Sequence, residues 1–401
     1  MIRKNLGEEY SPMYFLGALG AGGTAVTFFM FLMFMTPYDT PIPTYEAMMA
    51  LMTGEGPLIA VLVGAAMAGI LFFVALHLRL LVWNIREYRQ FRRTEAFARL
   101  RRSNQEVALM AIPLTLAMTI NAGFIVGAVF VPGLWNVVEY LFPLAMLAFL
   151  AVGAFALVIY SRFLARLFTE GDFDFTGNNN LSQLLAVFAF AMIAVGLAAP
   201  GAMSENLAIN AAGIFFSLTF AALALVLGLV MFVLGFKSTL RYGIAEAASP
   251  SLWIAIPILT LLGIAFIRHQ MGLHHGFGAP LNEAMLFVFT SLVLGAQLVF
   301  GLIGYVVMKK LGYFRDYIHG EKKSPVSYAL ICPGVALVVF SWFFINLGLV
   351  SNGVVEQFSV AYFALLAPVV YLQVVTIATL FRLNRKLLRA EPATEGASQQ
   401  A

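Results

Sequence analysis

Charge is what this sequence most lacks. Of its 401 residues, 11% are Asp, Glu, Lys or Arg and 61% are hydrophobic. Soluble domains carry about 25% charged residues. So little polar surface cannot cover a globule in water, and the chain reads as an integral membrane protein. Cysteine is nearly absent. Cys332 stands alone, so no intrachain disulfide can form. With only His77, His269, His274, His275 and His319 beside it, a four-ligand Cys/His metal site is not expected. Carboxylates are scarce in the long apolar runs, with Glu139 the main exception. Proton- or sodium-coupled transport generally needs such embedded groups, so strong ion coupling is disfavoured. No phosphate-binding glycine loop and no nucleophilic triad pattern appears, which argues against an ATP-driven pump or an enzyme. No ten-residue alternation of the kind a membrane β-barrel needs is present. The slight excess of Lys and Arg sits in particular loops and gives no sign of nucleic-acid binding. No cofactor is expected. Met1 to Tyr10 is short and charged, and the first apolar run is too long for the core of a cleavable signal.

What is present is a succession of long apolar runs. About 20 such residues cross the hydrocarbon core as a helix. Ten stretches qualify, near 12–36, 57–84, 107–131, 134–160, 181–200, 206–236, 251–268, 284–308, 327–350 and 356–381. The loops after even-numbered stretches are basic: Arg86 to Arg93, Arg162 and Arg166, Lys237 and Arg241, Lys309 to Lys323, Arg382 to Arg389. The others carry few positive charges, Arg268 being the exception. By the positive-inside rule, both termini and every basic loop lie in the cytoplasm of a cell bounded by its inner (plasma) membrane. The expected fold is therefore all-α: ten transmembrane helices arranged as five helical hairpins. Residues 1–390 form a single transmembrane domain, followed by a polar tail, 391–401, expected to be disordered.

Odd and even stretches differ. Gly17, Gly20, Gly22 and Gly23 fall in the first, Gly196 and Pro200 in the fifth. Three prolines share one offset: VALMAIP ends at Pro113, SLWIAIP at Pro257 and SYALICP at Pro333. A proline inside a helix removes a backbone hydrogen bond and kinks it. Freed carbonyls are tolerated in protein or beside a watery cavity but not against lipid, so the odd helices are expected inside, as a pore ring. Pro143 and Pro368, in even helices, depart from that pattern. Proline is also common in membrane helices for other reasons.

Several side chains are candidates for the pathway. Thr115 and Thr119 share one face of the third helix, and Thr260 lies on the seventh. Their hydroxyls offer donors without trapping charge, or simply bond their own helix carbonyls. Phe340, Phe343 and Phe344 share a face of the ninth helix and form either a hydrophobic gate or a packing surface. Arg268 and His269 are placed at the outer end of the seventh helix, as a vestibule for anions or as a solvated loop. His77 is expected to pack against a loop or snorkel with Arg79. Cys332 adjoins a proline and acts as a small apolar residue or something more reactive.

The first helix, YFLGALGAGG (14–23), and the ninth, SYALICP (327–333), resemble those of the tellurite-resistance/dicarboxylate transporter family. Bacterial TehA and the plant slow anion channels belong to it, and the chain resembles a divergent, outlying branch such as the TsoY group. The resemblance implies an inner pore of odd helices in each protomer, passage of a small inorganic or organic anion, and homotrimers. It also implies a gating phenylalanine directly before the ninth-helix proline. Cys332 occupies that position here, so the expected alternatives are that the plug is absent, that Cys332 itself forms the gate, or that Phe340 or Phe344 supplies it one or two turns on. The expected function is passive anion transport as a channel or facilitator. The alternative is a secondary transporter of a sulfur oxyanion, dicarboxylate or tellurite-type anion.

Overall fold

The computed structural model describes residues 2–54, 56–174 and 179–390. The expected tail, 391–401, lies outside the described residues, as does part of the polar loop before the fifth helix. Among the described residues, ten helices are long and apolar enough to cross a membrane: α1 (Pro12–Met35), α2 (Pro57–Phe91), α3 (Asn104–Phe130), α4 (Leu134–Glu170), α5 (Leu184–Met203), α6 (Leu207–Tyr242), α7 (Glu246–Phe277), α8 (Glu283–Lys310), α9 (Pro325–Val350) and α10 (Val360–Leu388). The chain is an all-α membrane protein. Among the described residues, the sole strand-like pairing is a single bridge between Ile2 and Arg389.

The odd helices form a closed ring. α1 packs on α3, α3 on α5, α5 on α7, α7 on α9, and α9 returns to α1. Each even helix lies outside, in the groove between its hairpin partner and the next member of the ring. Thus α2 bridges α1 and α3, α4 bridges α3 and α5, and α10 closes the sequence between α9 and α1. Burial follows the same division. In the most apolar stretch of each odd helix, 61–100% of residues are buried, against 17–28% for each even helix. The outer helices present stripes of exposed apolar residues, such as Leu218, Leu225, Leu229 and Val233 on α6, which suits contact with lipid.

Small residues let the ring close. Along α1, Gly17, Gly20 and Gly23 form one seam against Tyr328, Ile331 and Val335 of α9. An added Cβ at these glycines would come within 2.7–2.9 Å of those side chains. The seam therefore requires hydrogen at each position.

The repeated prolines do something other than kink the helices. α3, α7 and α9 each begin as a 3₁₀-helix, over Asn104–Met110, Glu246–Trp253 and Pro325–Leu330, and then become α-helical. Pro113 and Pro333 are each the third residue of the α-helical part, as is Pro257. In the first α-turn a missing N–H breaks no regular i→i−4 bond, and the fixed φ suits helix initiation. The expected mid-helix kinks are thus replaced by three matched entry joints. Pro143, Pro200 and Pro368 are the prolines that do interrupt spanning α-helices.

The first and last described residues lie on one face, here called the terminal face. The Arg3 N–H donates to Leu388 O at 2.7 Å, and the buried Glu87 carboxylate accepts the N–H groups of Asn5 and Leu6. The basic run 86–93, expected as a loop, continues α2 through Phe91. Beyond α8, the Asp316 carboxylate is held well below its usual range by hydrogen bonds from Arg315 and Lys322. Lys322 is raised by its bonds to Glu246 and Asp316. The lowered acid and the raised amine both stay charged through the neutral range. On the opposite face, the loop expected at 37–56 contains a short helix, Tyr45–Gly54, whose Glu46 accepts the Gly133 N–H at 2.6 Å.

A candidate anion site inside the helix ring

All five ring helices contribute to one cavity of about 410 Å³. α1 supplies Leu19, Gly20, Gly23, Val26, Phe29, Met30 and Met33. From α3 come Met118, Asn121, Phe124 and Ile125. α5 gives Phe188, Met192, Val195, Gly196 and Met203, and α9 gives Cys332, Val335, Ala336, Val339 and Phe343. On α7 the lining runs from Pro257 through Thr260, Ile264, Arg268 and Met271 to His274 and His275. At 1.5 Å per residue, Pro257 to His275 spans about 27 Å. The cavity opens at the face opposite the termini, where exposed Pro41, His274, His275 and Leu281 form its rim. Towards the terminal face it is closed. Phe15, Leu16, Ile112, Leu114, Leu185, Ile256 and Ile331 lie just beyond its floor, and all are buried.

Arg268 is the charged group of this cavity. The seventh helix was expected to end there, but it continues to Phe277. Its last turns are held because Gly272 packs onto the α5 backbone at Gly201 and His269 bonds Ser217 of α6. Arg268 therefore lies about two turns below the mouth, inside the ring, and not in an open vestibule. Its Nη1 donates to Val195 O of α5 at 2.7 Å. That turn of α5 is weakened nearby, since Pro200 has no N–H to offer the carbonyl of Gly196. Among the described residues no carboxylate forms an ion pair with Arg268. The guanidinium has five N–H donors. Arg268 as a whole is partly exposed, and it lines the cavity. An intramembrane cation without an ion-pair partner among the described residues is a candidate functional site, and chemically its charge can receive an anion.

The remaining expected pathway residues divide between wall and packing. Cys332, Pro257 and Thr260 are on the wall, the first two near its floor. Thr260 is already engaged: its hydroxyl lies 3.2 Å from Ile256 O and 3.1 Å from Ala336 O, and it accepts from Gln297 at 2.6 Å. Pro113 and Pro333 are buried outside the lining. Thr115 points its hydroxyl at Phe15 O and Ala111 O. Thr119 bonds Thr115 O and the ring of His77, whose other nitrogen donates to Ala18 O at 2.8 Å. His77 is thus buried among α1, α2 and α3 instead of snorkelling with Arg79. His269 is also turned away from the cavity. Its Nε2 meets Ser217 Oγ at 2.8 Å, and that hydroxyl in turn reaches Ala194 O at 2.7 Å.

The phenylalanines separate in the same way. Phe340 is fully buried and presses on Gly263 of α7, outside the lining. Phe344 begins the π-helical end of α9, Phe344–Val350, and lies against Gly348. Successive helical residues point about 100° apart, so Phe344 does not share the direction of Phe343. Phe343 is the member of the trio on the wall. It lies eleven residues beyond Cys332, as Arg268 lies eleven beyond Pro257, so the two stand at similar height. Phe343→Ala should change the uptake of any solute that passes through the cavity. Phe340→Ala should instead cost about 3–5 kcal/mol of stability, with uptake per folded protein near wild type. Parallel uptake and thermal-unfolding measurements check this; equal uptake changes in both variants would return Phe340 to the pathway.

Sequence reasoning missed the methionines. Met30, Met33, Met118, Met192, Met203 and Met271 all line the cavity. Their position on odd helices alone was the available signal. No family model, curated protein or solved structure matches the chain.

Proposed function

We propose that this protein carries anions across a membrane through the cavity within its helix ring, as a channel or facilitator and without covalent chemistry. The observation that carries the reading is Arg268, a cation without an ion-pair partner on the wall of a membrane-embedded cavity. A cation transporter would gain nothing from this charge and would be repelled by it. The kinship with tellurite-resistance/dicarboxylate transporters is part of this proposal, supported by the inner ring of odd helices. The concentration of Arg and Lys on the terminal face supports a cytoplasmic location for both termini in an inner (plasma) membrane. Exposed Ala65 and Ala68 on α2 would allow close contact between protomers of a homotrimer.

The closed floor favours a second reading, a carrier that opens alternately to each side. The two differ in their response to an imposed pH gradient. A channel or facilitator dissipates the anion gradient regardless of pH, whereas a proton-coupled carrier accumulates anion against it. Measurement of the reversal potential in a bilayer tests the shared claim of anion passage.

A further inference from the structure

The cavity's wall says more about the anion than its charge does. One guanidinium faces a space of about 410 Å³, within the range of about 300–1,000 Å³ that holds small organic ligands. Around it stand the six methionines named above, with phenylalanines from four ring helices between them. Thioether side chains are polarisable and adapt to varied apolar shapes. Free hydrogen-bond donors are few. The Thr260 hydroxyl is committed to its own neighbours, and the Asn121 amide already donates to Ala117 O at 3.2 Å. A compact hydrated anion would shed its water here and find few replacements.

We infer that the preferred anion carries a single charged head on an apolar body, the head at Arg268 and the body among the methionines. This rests on the proposal that anions enter the cavity. A compact dianion fits less well, because among the described residues no second cation lines the cavity at that depth. His274 and His275 stand about two turns further out, at the rim. An apolar body, by contrast, gains from every methylene it removes from water.

Alkyl sulfonates test the idea, because they stay ionised and do not cross lipid as neutral acids. Uptake of methanesulfonate, butanesulfonate and benzenesulfonate would be measured in liposomes containing the full chain. The half-saturating concentration should fall by about fourfold per added methylene, with benzenesulfonate also favoured over methanesulfonate. Replacing Met33→Gln and Met271→Gln together keeps the length of both side chains and should shrink the butane-to-methane ratio severalfold. Equal half-saturation for methanesulfonate and butanesulfonate, with uptake still dependent on Arg268, would overturn the apolar-body inference while leaving anion transport standing. Absence of protein-dependent uptake for every sulfonate and for chloride would overturn both.

Discussion

Arg268→Gln should reduce anion binding and uptake by about thirtyfold or more. Removing one member of a buried, hydrogen-bonded charge pair costs about 2–5 kcal/mol, and the anion would lose its one full charge partner at that depth. The same substitution should leave the fold at least as stable as wild type. An arginine within a spanning helix costs about 2.5–3.5 kcal/mol on insertion scales. Its compensation here within the protein is the hydrogen bond to Val195 O. Gln discards the charge and keeps an amide N–H, on a side chain two bonds shorter than the one that reaches Val195 O. Function and stability are therefore expected to move apart, which distinguishes an anion site from a structural tether. Arg268→Lys, which retains the charge but loses the planar fork of donors, should fall between the two. Uptake kinetics and thermal unfolding on the same preparations measure both effects. A variant that loses stability and uptake in proportion would place Arg268 among the structural residues.

Gly272→Ala should be the most damaging small substitution. A Cβ at Gly272 would lie 2.2 Å from Gly201 O, and one at Gly213 would lie 2.6 Å from Gly201 N. Three backbones, those of α5, α6 and α7, thus meet at Gly201, Gly213 and Gly272. None can yield as a flexible side chain would. One methyl group must force α7 away from α5, at a cost on the order of 3 kcal/mol. Gly272 is one turn from Arg268, so the shift would also draw the guanidinium from Val195 O and reduce uptake. Gly295→Ala is the control, because no other atom approaches its Cβ position within 4 Å. Thermal unfolding of the two variants should show a marked loss for the first and none for the second. Equal stabilities would mean that the α5–α7 contact is looser than the geometry requires.

Much of the architecture was legible because hydrophobic length and charge placement act on whole helices. The ten spans, their hairpin pairing and the inward position of the odd helices all follow from such bulk properties. The distribution of glycine and proline was enough to choose the inner ring. Individual site residues were less legible, because orientation depends on which face of a helix turns inward. Phe340, Phe343 and Phe344 share a helical face in sequence, yet Phe343 alone reaches the cavity. The π-helical turn from Phe344 onward has no signature in the apolar run that contains it. Arg268 was recognised but misplaced. Hydropathy ends the seventh span where polar residues begin, and it cannot register that Arg268 faces a cavity while His269 faces Ser217. The prolines were correctly seen as a repeat. Their role as entry joints was hidden because neither hydropathy nor charge distinguishes a 3₁₀ turn from the first turn of an α-helix.

The most direct measurement is the reversal potential of the full chain in a planar bilayer under a tenfold gradient of sodium chloride or sodium benzenesulfonate. Protein-dependent current should reverse near the equilibrium potential of the anion and fall sharply with Arg268→Gln. Reversal near the sodium potential, or a current indifferent to Arg268, would contradict an anion path through the helix ring.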